Sequence, residues 1–288
     1  MYRRGGILKY FLIGAVLIVV LIALIRMMLP EHIDEHAGQV YINDGFDMVW
    51  MTPYEGVPVS ELNTSDFQTV NSLPIYMGSD YDTRIGIDTS EHQWEVNWDA
   101  AATMIDFAII RLGYRGYTEG GLFLDPWFDT NLSGAINAGL ETGVYFFSQA
   151  TNVSEAIEEA EFVLDHLAGY RITLPVFFDW EKIDGGGART DEISQQTMTD
   201  CALAFCRTIR NAGYDAGVYF NRTLGYYGFD LSRLIGNSFW VSVPGNYPDF
   251  YYACDYWQFT FTASIPGVSG AADLSMRFIP RVTSETNS

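Results

Sequence analysis

At 288 residues with 48% hydrophobic content, the chain is long enough for one large core plus an appendage and needs no disulfide framework to be stable. Thirty-six acidic against 16 basic residues give a formal charge of −20, a field that repels nucleic acid and anionic lipid surfaces, so nucleic-acid binding is set aside. Three cysteines and four scattered histidines (His32, His36, His92, His166) provide neither a disulfide scaffold nor zinc spacing, and neither a metal nor a cofactor is expected.

The charged residues before Pro30 are all basic: Arg3, Arg4, Lys9 and Arg26. Between them Tyr10 to Ile25 is uncharged and mostly aliphatic, and the run extends to Leu29 if Arg26 reaches the interface. That approaches the ~20 residues of a membrane-spanning helix. Basic residues before it and Glu31, Asp34 and Glu35 after it place the N-terminus in the cytoplasm and the remainder outside. A cleaved signal peptide would show a small-x-small site, and Arg26-Met-Met-Leu-Pro-Glu has none. The expectation is a single-pass anchor in the cell membrane through residues 10–29.

Residues 31–83, with Pro53, Pro58 and Pro74, have the composition of a stalk or linker. Their short apolar pieces, Val57-Pro-Val and Leu73-Pro-Ile-Tyr, fit an edge strand or a patch packed on the main domain. From Arg84 the rhythm changes. Strands are predicted at Arg84–Asp88, Phe107–Arg111, Thr142–Phe147, Leu174–Glu181, Ala216–Phe220, Phe239–Val243, Tyr256–Phe261 and Ala271–Phe278. Helical periodicity fills Val153–Leu167, apolar on one face and rich in glutamate on the other, and Ile193–Ala212. Alternating strands and helices mean an α/β fold with a parallel sheet, open or closed into a barrel. Eight strand candidates favour a barrel, and the helical patterns fade after Phe220.

In such a barrel, chemistry sits at the C-terminal ends of the strands. Asp88 ends the first strand, Asp179 and Glu181 end the fourth, and Asp273 lies in the last. Residues i and i+2 of a strand share a side, so Asp179 and Glu181 project together. Two carboxylates so close behind the apolar Leu174-Pro-Val-Phe-Phe cannot both ionise freely, which raises one toward the range of a general acid. Breaking a glycosidic bond has that requirement. A salt-bridged surface strand end is the competing reading for the pair, and a loop-capping Asx turn the one for Asp88.

These residues are those of a sequence that resembles glycoside hydrolase family 25, the Chalaropsis-type lysozymes. The resemblance rests on Gly86-Ile-Asp-Thr-Ser-Glu-His-Gln93 followed by Trp98, on Phe107-Ala-Ile-Ile-Arg111, and on Asp125, Phe128 and Asn131. It continues through Gly143-Val-Tyr-Phe-Phe147, Asp179-Trp-Glu181, Phe239-Trp-Val, Trp257-Gln-Phe and Ala272-Asp-Leu. It implies an irregular barrel of five β/α units followed by three strands over residues 84–282. The implied activity is hydrolysis of the β-1,4 bond between N-acetylmuramic acid and N-acetylglucosamine in peptidoglycan, by a monomeric barrel. It also implies Glu181 as the general acid and Asp179 as the group orienting the 2-acetamido group or the attacking water. Asp88 and Asp273 would support the electrostatics, and Tyr145, Trp257, Gln93 and Arg111 would bind substrate. This chain departs from the pattern where Trp94 replaces the glycine usual after Gln93, and at Asn97, Phe146, Pro244 and Ser275. A glycan-binding module without turnover, and a hydrolase of another N-acetylated glycan, are the alternative functions.

Overall fold

The computed structural model describes residues 14–21, 24, 34–71, 73–183 and 185–281. The expected membrane span falls largely outside these; its described part, Gly14–Leu21, is helical. Among the described residues no helix is long and apolar enough to cross a membrane. The chain divides into two compact units. One runs to Tyr41 and includes Trp50–Pro53; the other comprises Ile42–Val49 and everything from Tyr54 onward. In the first, Trp50 stacks on His36 with ring centroids 4.1 Å apart.

The second unit is built on a closed barrel. Its eight strands are β1 (Tyr81–Thr89), β2 (Phe107–Arg115), β3 (Glu141–Ser148), β4 (Val176–Trp180), β5 (Ala216–Asn221), β6 (Ser238–Ser242), β7 (Tyr256–Ala263) and β8 (Ala272–Pro280). Pairing is parallel from β1 to β7; β8 runs antiparallel to both β7 and β1 and completes the ring. All eight predicted strands are present, and ring closure resolves the choice between barrel and open sheet. Three long helices follow β2, β3 and β4: α1 (Phe128–Asn137), α2 (Val153–Leu167) and α3 (Gln195–Asn211). After β5 the described helices are short: a π-helical turn, Leu224–Gly228, and Leu231–Leu234, both before β6.

The helices form where sequence signals coincide. Asn152 accepts a hydrogen bond from the Glu155 amide at the start of α2, and the face carrying Ala156, Ala160, Val163 and Leu167 is buried. Ser194 caps α3 through the Thr197 amide in the same way. Inside the barrel Phe107, Ile109, Leu174, Phe177, Tyr219, Trp240 and Tyr256 form a solid floor. Gly86 leaves room for it, because a Cβ there would stand 2.3 Å from the Phe107 ring. The interior is therefore packed, and only the mouth is open for chemistry.

Among the described residues no helix packs on the outer face of β7 and β8. A hairpin of Phe67–Val70 and Leu73–Tyr76 covers it instead. Phe67 meets Trp257 and Phe278 edge-on at 5.6 and 6.3 Å, and Tyr76 meets Phe278 at 6.1 Å. Val57 is buried and Val59 bridges to Tyr252. The part of the stalk stretch from Tyr54 to Thr83 thus belongs to the barrel's unit, through the two apolar pieces visible in its sequence.

Candidate active site

Each acid singled out from the sequence reaches the barrel mouth by strand register. Asp88 near the end of β1 lies opposite Asp273 on β8. Asp179 on β4 lies beside Tyr219 on β5, and Glu181 follows one residue beyond that strand. Asp88, Asp179, Glu181 and Asp273 line one cavity of about 240 Å³, together with Gln93, Arg111, Tyr145, His92 and Phe147. Glu181 and Asp273 also border a larger open cleft of about 600 Å³, walled by Tyr219, Asn221, Arg222, Ser242 and Phe261. The two spaces share those acids, so they make one groove with the carboxylates at its middle.

The electrostatics of the cluster follow from burial and like charge. Asp179 is 3% exposed, and its Oδ1 has no hydrogen-bond partner. Burial, then Glu181, then Asp88 push its carboxyl well above the usual range, against the pull of the Arg111 guanidinium. Asp88 is pushed well up by burial and next by Asp273; a hydrogen bond from Gln258 Nε2 to its Oδ2 at 2.9 Å opposes this. Burial also pushes Asp273 up to about 6. Repulsion was expected to act within the 179/181 pair; the structure spreads it over acids from β1, β4 and β8.

Arg111 is fixed before any ligand arrives. Its Nε donates to Asp125 Oδ2 at 2.7 Å and its Nη2 to Glu91 Oε1 at 2.8 Å. Gln93 lines the cavity while its Oε1 accepts from the Ser90 amide at 3.0 Å, closing a reciprocal cap with Ser90. The loop after β4 is also pinned. Gln149, fully buried, donates from Nε2 to the Glu181 carbonyl at 3.1 Å and accepts from Thr190 Oγ1 at 2.6 Å. Gly185, Gly186 and Gly187 all adopt left-handed backbone, and the Gly187 amide donates to Asp191 Oδ2 at 2.6 Å.

One assignment needs correction. Trp257 does not line the groove: it is fully buried, and its indole Nε1 donates to the Val243 carbonyl at 2.8 Å. Strand alternation puts Tyr256 and Gln258 inside the barrel and Trp257 outside, against Phe67. The residue of that motif that belongs to the site is Gln258, whose Oε1 also accepts from the Tyr219 hydroxyl at 2.8 Å. Tyr219 and Gln258 were both missed, although their position in the two-residue period would have found them.

A family model described as glycosyl hydrolases family 25 matches residues 87–268. The chain belongs to that family. Among similar proteins, lysozyme M1 of Streptomyces globisporus is 27% identical over 205 residues, 65% of each chain. The autolytic lysozyme of Clostridium acetobutylicum is 26% identical over 191 residues, 66% of this chain and 54% of that one. The chain therefore spans between about half and two thirds of the length of these relatives. A family 25 glycosyl hydrolase from Bacillus anthracis superimposes with a TM-score of 0.56 at 17% identity, covering 68% of this chain and 89% of that one. The modular autolysin LytC of Streptococcus pneumoniae, solved with a synthetic peptidoglycan ligand, gives 0.58 at 23% identity, over 73% and 51% of the two chains. These likenesses establish the family 25 fold.

Proposed function

We propose that the protein is a muramidase, cleaving the β-1,4 bond between N-acetylmuramic acid and N-acetylglucosamine in peptidoglycan, and held at the cell membrane by residues 10–29. The carrying observation is the convergence of Asp88, Asp179, Glu181 and Asp273 on one groove, three of them with carboxyls raised by burial. Family membership and the two lysozyme relatives support the substrate class.

In this reading Glu181, where the two halves of the groove meet, protonates the glycosidic oxygen as the bond breaks. Asp179 serves the anomeric side. Its unpartnered Oδ1 accepts a hydrogen bond from the substrate, for which the 2-acetamido N–H or the attacking water has the right donor chemistry. Positive charge then grows on the sugar ring among carboxyls that repel one another in the resting protein. A cation at their centre relieves that repulsion, so the stabilisation is larger in the transition state than before it. Arg111, held by Asp125 and Glu91, opposes the rise of the Asp179 carboxyl.

The anchor is supported by the uncharged run from Tyr10 to Ile25 and the basic residues before it. Digesting purified peptidoglycan with the protein and identifying the new reducing ends tests the activity. N-acetylmuramic acid ends are expected; N-acetylglucosamine ends, or none, overturn it. Recovery of the full chain in the membrane fraction after a high-salt wash tests the anchor, and release by salt refutes it.

A further inference from the structure

We propose that Trp94 is a sugar-stacking platform at the rim of the groove, extending the glycan site beyond the carboxylates. The proposal rests on the muramidase reading. Trp94 has φ 52° and ψ −143°, one of two non-glycine residues with positive φ among the described residues. A bulky side chain is strained in that region and persists there only where its surroundings over-determine the backbone. They do so here. The Trp94 amide donates to the Glu91 carbonyl at 3.1 Å, and its carbonyl accepts from Asn131 Nδ2 at 2.8 Å. The preceding turn is closed by the Ser90–Gln93 cap.

A glycine takes this backbone without steric cost. Tryptophan stands there instead, and it gains little packing in return: the residue is 61% exposed. Strain without burial gives the fold nothing. The position does offer something to a ligand. His92 and Gln93, the two residues before it, line the cavity with Asp88, Asp179 and Glu181, and adjacent Cα atoms are ~3.8 Å apart. Trp94 itself lines neither cavity, but an indole one residue beyond the lining offers a flat apolar face with a polar N–H edge, which matches the C–H face and hydroxyl rim of a pyranose ring. The occupant is thus a glycan unit beyond the pair flanking the scissile bond.

The test is a titration of soluble peptidoglycan glycan strands into the full chain, using Glu181→Gln to prevent turnover, with and without Trp94→Gly or Trp94→Phe. Losing one stacking contact should weaken Kd by about 3–10-fold in Trp94→Gly, while Trp94→Phe keeps most of the affinity. Glycine should also raise Tm, because the strained backbone relaxes. A wild-type Kd in Trp94→Gly, or a lowered Tm, overturns the proposal while leaving the muramidase reading intact if the parent chain still cuts peptidoglycan. No binding by the parent chain overturns both.

Discussion

Replacing Asp179 by Asn should make the protein more stable at neutral pH while abolishing turnover. The reasoning starts at the edge of the cluster, where burial raises the Asp273 carboxyl from 3.8 to about 6. A rise of about two units is ~3 kcal/mol at 1.36 kcal/mol per unit; since Asp273 is only partly buried, about 1–2 kcal/mol is the usable figure. Asp179 is buried more deeply and is raised further by Glu181 and Asp88. Neutralising it should therefore stabilise the fold at pH 7.5. The sign follows from linkage. A carboxyl whose folded pKa exceeds its unfolded value contributes fully below about 3.8 and loses that contribution as pH rises through the folded pKa. The wild type should thus gain stability on going from pH 7.5 to 5, and Asp179→Asn should gain less. Urea denaturation at pH 7.5, 6 and 5 measures both. A lower midpoint for the variant at pH 7.5, or a wild type that is flat or weakened on acidification, would refute the electrostatic account.

Other substitutions probe separate parts of the structure. Gln258→Leu removes the partner of Asp88 Oδ2 and one of the partners of the Tyr219 hydroxyl in a buried site; a loss of about 1–3 kcal/mol in urea denaturation is expected, with reduced kcat. Arg115→Met strands Glu159, which is fully buried and bonded to Arg115 Nε at 2.7 Å; this should cost about 3–5 kcal/mol at pH 8. That loss should shrink by pH 5.5, because the Glu159 carboxyl already sits at about 7 and takes up a proton. Trp257→Phe should lower stability by about 1–3 kcal/mol while leaving KM unchanged, because Trp257 packs outside the barrel. A raised KM at unchanged stability would return it to the glycan site.

What was legible in the sequence was what periodicity and strand ends encode. The β-rich runs and the amphipathic segment from Val153 to Leu167 became strands and helix at nearly the expected bounds. Asp88, Asp179 and Glu181 converged because parallel strands bring their C-terminal ends together, and Asp273 joins them because β8 runs antiparallel and starts at the same mouth. What escaped needed partners distant in the chain. The 67–76 hairpin is short and polar on one side, and its role comes from Trp257 and Phe278, about 200 residues later. The motif names Trp257 as a site residue, whereas the inside/outside alternation of β7 assigns Gln258 instead. Leu122–Leu124, antiparallel on β2, is too short to carry a period of its own.

The central claim is that Glu181 delivers a proton to the departing sugar oxygen from within the acid cluster. Comparing wild type with Glu181→Gln on peptidoglycan glycan strands, and on an aryl glycoside whose phenolate departs without protonation, tests it most directly. The account predicts a drop in kcat of ~10²-fold or more on the glycan strands and a far smaller one on the aryl substrate. Equal losses on both, or full activity of Glu181→Gln on the glycan, would contradict it.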